Sequence, residues 1–322
     1  MRRSSKQHHR QPQRITVTST QVQPSTPIRM DQNELANRLY NPINDICGTA
    51  ASNNDYYALW SCYGTGAFFN FLISTIVFSL LAEPGLKLFF GGYFEHVKIN
   101  RPHHAISLRL QVGVLINATL TFSLVFFEAY ILHVIARKGL AGAPGFELPA
   151  RPSLWLASGS LVGYMLHHLL VMFYHRTLVE RAMGSTMFQT ILVHHVCSIL
   201  LFPVSLRVGL GCYFVAMFVQ SEVTSIPLAF RTFGVRMGKP FTTSVWFQLA
   251  NVTWLLAWVF FRLTPMPSML KTLAQSDWSK FDGITYTLCW FIYIPFIINL
   301  WWTRGMVMSA YKHFCRRKNK QS

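Results

Sequence analysis

Seven apolar runs leave this chain little choice of architecture. They cover approximately 59–82, 110–136, 153–174, 187–206, 208–230, 243–263 and 284–308. Each is close to the ~20 residues that a helix needs to cross a bilayer. The 322 residues are 51% hydrophobic and only 13% charged, a profile that fits a polytopic membrane protein better than a soluble domain. The expected fold is therefore all-α, with about seven transmembrane helices. A net charge of +17 would also suit nucleic acid, but the Lys and Arg residues sit in tails and loops, as membrane orientation requires. No nucleic-acid partner is expected. Trp60, Trp155 and Trp301 fall near span ends as interface anchors. Cys47, Cys62, Cys197, Cys212, Cys289 and Cys315 are scattered without CxxC spacing, and read as core packing instead of a disulfide framework or zinc site.

The fourth and fifth runs form a hairpin with ionisable groups at bilayer depth. With the turn near Val208, beside Arg207, Gly209 and Gly211, His194 lies 14 residues before it and Glu222 lies 14 after. At ~1.5 Å per residue both side chains reach ~20 Å from the turn. Such groups are costly in lipid unless they meet each other, water or a substrate, and so are functional candidates. His194, Ser198, Leu201 and Ser205 share one helical face, whereas His195 points about 100° away. Glu222 and Ser225 share a face, with Ser221 and Thr224 nearby, and Pro227 is expected to kink the helix just beyond them. Two readings stand: a His–Glu pair that only locks two helices, or a reactive centre.

Other runs carry further polar groups. The third has Ser160, Tyr164, His167 and His168; the second has Asn117, Thr121 and Glu128; the sixth has Gln248, Asn251 and Trp258. Each suits inter-helix hydrogen bonding, and together they suit a shared polar cavity. Tyr164, His167, Glu128, Asn251, Ser198, Ser205, Ser221 and Ser225 are the candidate substrate-binding residues. The histidine doublets His103-His104, His167-His168 and His194-His195 have no histidine three or four places away, so no metal is expected. A transporter would show matching broken helices in two halves, and Pro227 and Pro295 do not correspond.

The hairpin resembles the TLC-domain family, which includes the ceramide synthases, the translocating-chain-associating membrane proteins and other relatives. The ceramide-synthase pattern H-H-x-x-T-x-x-L-x-x-x-S falls on His194, His195, Ser198, Leu201 and Ser205. The following H-D-x-S-D falls on Ser221, Glu222, Val223, Thr224 and Ser225, with Ser at the first position and Ser225 at the last. Ser221-Glu222-Val223-Thr224-Ser225-Ile226-Pro227-Leu228, then Arg231, is similar to the S-E-[IVL]-[ST]-x-P-[FL]…R run of the TLC-domain-containing relatives. The resemblance implies six core helices in a TLC-type bundle, here the second to seventh runs, with the first as an accessory. It implies a catalytic centre of His194 or His195 as base or acyl carrier, oriented by Glu222. It also implies transfer of an acyl group to a lipid amine, with an acyl-coenzyme A co-substrate and no tightly bound cofactor. The alternative is a non-catalytic protein that senses lipid or regulates membrane composition or trafficking with the same pocket.

The expected organisation is a disordered polar tail over 1–55, a TLC-like membrane domain over 56–310 with its core at 110–308, and a basic tail over 311–322. The longest loops are expected at 83–109 and 262–283. Lys318 and Lys320 stand five and three places from the end, the K-x-K-x-x spacing that cytosolic coat proteins read for return to the endoplasmic reticulum. A cytosolic C-terminus puts fifteen Lys and Arg on the cytosolic side against seven in the opposite short loops. Membrane lipid and coat protein are the expected partners, and oligomeric state is left open.

Overall fold

The structure is a computed structural model that describes residues 56–137, 152–206, 209–276, 278–280, 287 and 290–318. Among these residues it is helical, with no strand. Helix α1 (Tyr56–Ile76) runs through a π turn at Val77–Leu81 into α2 (Ala82–Phe90). Gly91, at φ +51°, then reverses the chain into α3 (Gly92–Asn100). Helix α4 (Pro102–Arg137) starts on proline, whose missing N–H would have had no helical partner there. There follow α5 (Pro152–Tyr174), α6 (Arg176–Met183), α7 (Ser185–Ser205) and α8 (Gly209–Ser221). A 3₁₀ turn at Glu222–Thr224 leads into α9 (Ser225–Met237), and a short α10 (Lys239–Thr242) precedes α11 (Val245–Trp258). A second π turn at Val259–Leu263 joins α12 (Met266–Gln275), and α13 (Tyr293–Lys318) follows.

Six of these stretches are long and apolar enough to cross a membrane: 59–90, 102–134, 152–174, 185–205, 211–237 and 245–275. The protein is an all-α, multi-pass membrane protein. The seventh expected run ends in α13, while much of its beginning lies outside the described residues. So do the expected tail over 1–55, the turn at Arg207 and the terminal Lys320. The expected loop at 83–109 is instead helical: α2, α3 and the start of α4 occupy it. Most of its charged residues stay near the surface, where Lys87 Nζ lies 2.8 Å from Glu95 and 3.3 Å from Glu83, whereas Arg109 turns inward and donates to the Phe78 carbonyl at 2.7 Å. Cys62 departs from simple core packing, because it is disulfide-bonded; Cys197 is a free thiol, and Cys212 Sγ donates to the Leu206 carbonyl at 3.4 Å.

Helix α5 is the centre of the bundle, buried along most of its length. Helix α1 lies against it at backbone contact. A Cβ on Gly159 would come 2.1 Å from the Tyr63 carbonyl oxygen, and one on Gly163 would come 2.0 Å from that of Ala67. In the reverse sense, a Cβ on Gly66 would meet the Leu156 carbonyl oxygen at 2.5 Å. Lipid gives no hydrophobic reason for helices to associate, so close packing of small residues and polar bridges must do it. Asn70 supplies the bridge: its Nδ2 donates to Asn117 Oδ1 at 2.8 Å and to the Ser160 carbonyl at 2.7 Å, tying α1, α4 and α5 together. Helix α13 is held differently, along α7 and through Trp258 Nε1 donating to Thr303 Oγ1 at 3.0 Å.

Candidate functional site

Two irregular turns meet at the depth of His194. Pro227 has no N–H to offer the Val223 carbonyl, and the helix tightens to 3₁₀ over Glu222–Thr224 just before it. Across from it, Thr264 N donates to the Val259 carbonyl at 2.9 Å, the five-residue step of the π turn that carries Arg262. The Arg262 and Glu222 side chains are 6% and 13% exposed, with Nη2 to Oε1 at 3.5 Å. The rest of the guanidinium is well partnered. Nε donates to Thr224 Oγ1 and Nη1 to Asn299 Oδ1, each at 2.9 Å, and the ring centroids of Trp258 and Trp302 lie 4.7 and 5.6 Å away. Ser225 Oγ donates to the other Glu222 oxygen at 3.2 Å. Two opposite charges at bilayer depth are thus satisfied by each other, by three hydrogen bonds and by two indole faces.

His194, Ser198, Ser221, Glu222, Arg262 and Asn299 line one chamber, closed on its other sides by Leu161, Met165, Phe202, Phe218, Pro295 and Ile298. His194 and Glu222 therefore share a cavity but are not each other's main partner: Glu222 is committed to Arg262 and Ser225. The chamber continues into an apolar groove past Cys197, Leu201, Phe214, Phe291 and Ile294 to Ser205. From His194 to Ser205 this is ~16 Å of helix. Chamber and groove each hold about 20 Å³, room for water and not for an acyl chain, so a chain enters only if the helices part. A larger recess of about 350 Å³ lies outside, between the start of α7 (Gly184 to Thr190) and Trp301 and Trp302. The Trp302 ring borders this recess and also lies 5.6 Å from the His194 ring, so one indole stands between the recess and the chamber.

His195 faces elsewhere. Its Nε2 lies 2.7 Å from His168 Nδ1, and Tyr164 stacks on His168 at 5.4 Å and 25°. His167 packs edge-on to Phe71 and Phe78. Ser153 Oγ donates to the buried Glu128 carboxylate, and Asn251 Oδ1 accepts from Arg231 Nε at 2.9 Å. Thus His194, Glu222, Ser198, Ser221 and Ser205 line the chamber and groove, with Ser225 hydrogen-bonded to Glu222. His195 and Tyr164 lie with His168, Glu128 with Ser153 and Asn251 with Arg231, while His167 packs against Phe71 and Phe78. Arg262 falls where the sixth run overlaps the loop expected at 262–283, and neither Asn299 nor Trp302 is marked by the sequence pattern. One signal was available: Arg262 is the only charged residue in 243–263, four places after Trp258. Among the described residues no three His, Cys, Asp or Glu side chains converge as metal ligands would.

The comparisons with known proteins give one match. The family profile described as TLC domain covers residues 103–308, from the first turn of α4 well into α13, and it includes every residue of the chamber. No curated protein and no solved structure matches the chain.

Proposed function

Because this chain belongs to the TLC-domain family, we propose that it is an endoplasmic-reticulum membrane protein that holds a long-chain lipid between α5, α7, α8, the Glu222 turn and α13. The head group lies at His194, Glu222 and Arg262, and the chain lies along the groove toward Ser205. One observation carries this reading: a chamber with a histidine, a carboxylate and a guanidinium opens directly into a groove walled by Leu201, Phe214, Ile294 and Phe291. That is the lining an amphiphile requires. Its narrowness means that a wall must move when a chain enters, and α13 forms one wall of both chamber and groove through Pro295 and Ile298.

His194 gives the site a chemical capacity as well. With an acyl-coenzyme A thioester and a lipid amine in the chamber, the imidazole removes a proton from the amine as its nitrogen attacks the thioester carbonyl. A C–N bond forms, the C–S bond breaks, and the proton leaves on the thiol. The second reading is a lipid sensor without transfer. It is favoured by Glu222, which is bound to Arg262 and Ser225 instead of orienting either histidine.

Topology follows the same reading. A disulfide at Cys62 suits an oxidising compartment, so the start of α1 faces the lumen. The basic ends at Lys98, Arg101, Arg176, Arg181, Arg236 and Lys239 then face the cytosol, as does the C-terminus with Lys318 and Lys320.

The deciding experiment purifies the wild type, His194→Ala and Glu222→Gln in mild detergent and identifies the retained lipid by mass spectrometry. Each preparation is then given palmitoyl-coenzyme A and sphingosine. Long-chain lipid on the wild type and its loss from both variants is the expected result; no retained lipid, or the same lipid on all three, overturns the binding reading. Amide product from the wild type and none from His194→Ala establishes transfer. Retained lipid with no amide from any preparation leaves the sensor.

A further inference from the structure

A second polar site lies at the other end of α9, ~21 Å along the helix from Glu222. Arg101, His103 and His104 sit at the start of α4, between α6, which carries Arg181, and the last turn of α9, which carries Arg236. The apolar packing fixes this arrangement: Ala105 shares one cluster with Phe233 and Met237, and Ile106 shares another with Val179. The rings of His103 and His104 are 4.4 Å apart, and Arg236 Nη1 is 3.4 Å from His104 Nε2. Arg101, Arg181 and Arg236 all stand close enough to His103 for their charges to act on it.

What is missing is an anion. Arg236 Nε and His104 Nδ1 are both buried without a hydrogen-bond partner among the described residues. The nearby carboxylates are already engaged: Glu83 with Lys87 and Lys98, Glu95 with Lys87, and Glu180 with Arg176. The positive end of a 36-residue helix adds to the same field. Three guanidinium groups and two imidazoles around unpartnered donors call for an acceptor with several oxygens. Their place, at the ends of two membrane helices and on the short α6 packed beside α4, puts that acceptor at head-group depth.

We propose that Arg181, Arg236, His103 and His104 bind a phosphate ester, carried on the head group of an anionic phospholipid in the leaflet at this end of the bundle. The site shares no residue with the His194 chamber and does not depend on what that chamber binds.

The test uses the full-length protein in nanodiscs of phosphatidylcholine containing either phosphatidic acid or no anionic lipid. Bound lipid is read by native mass spectrometry after release into detergent. Wild type retains phosphatidic acid over phosphatidylcholine, and millimolar inorganic phosphate reduces that retention. Arg181→Gln with Arg236→Gln weakens retention about tenfold, the scale of one charge-assisted hydrogen bond. Adenosine 3′,5′-bisphosphate separates the two sources of the ester. Displacement of phosphatidic acid by it below the concentration of inorganic phosphate required assigns the site to a soluble phosphate ester and overturns the lipid assignment. Equal retention of the two lipids, or no change in the double variant, overturns the site altogether. Should the double variant fail to accumulate, Arg236→Lys and Arg181→Gln carry the comparison singly: the first retains the lipid, the second loses it, and identical retention by both counts against the site.

Discussion

Removing the Arg262 guanidinium would leave Glu222 at bilayer depth with only Ser225 donating to it. Breaking a buried pair from one side costs about 3–5 kcal/mol, whereas replacing both partners together costs far less. Arg262→Met is therefore expected to lower the detergent unfolding temperature sharply, and Arg262→Met with Glu222→Gln to recover most of the loss. Equal destabilisation by the single and double variants would show that the pair is not coupled. The two neighbouring histidines should separate in the same assay. His195→Ala strips His168 of its 2.7 Å partner inside the core and costs about 1–3 kcal/mol. His194→Ala faces a water-sized space and should leave stability nearly intact while changing retained lipid. The divergence of the pair was legible in the sequence, because adjacent residues on a helix point 100° apart. The destination of His195 was not, since His168 lies 27 residues away on another helix and no local pattern links them.

At the scale of helices, hydropathy located the first six spans because the bilayer imposes a minimum apolar length. It could not locate the irregular turns, which come from single residues. Pro227 signalled one of them, and the helix tightens over Glu222–Thr224 as a missing N–H requires. The π turn at Val259–Leu263 has no such marker in its Val-Phe-Phe-Arg-Leu run, and Arg262 was accordingly counted as a loop charge. Likewise, the charged residues between 83 and 109 mimic a loop because helices lying outside the core bury so few of them. The α1–α5 contact gives the sharpest test of an element. A side chain at Gly163 must displace the Ala67 carbonyl, so Gly163→Val should cost about 1–3 kcal/mol or more and free α1 to move. Loss of a disulfide crosslink engineered between α1 and α5 would report that movement. Gly64, which has open space around it, should accept alanine without penalty.

Over the whole molecule, the disulfide at Cys62 and the basic helix ends make a single topological prediction. A glycosylation acceptor appended before residue 1 should be modified in microsomes, and one appended after Ser322 should not; the reverse pattern would invert the protein. With the first pattern, the recess beside Trp301 and Trp302 and the cationic cluster of Arg181 and Arg236 would lie on the cytosolic side. The seam that joins α1 to α5 has one more consequence. Gly159 and Gly163 form the kind of notch through which membrane helices of separate chains commonly pair, yet here the chain's own first helix fills it. Any self-assembly must be built on another flank, and a peptide copied from α5 would have to evict α1 before it could dock.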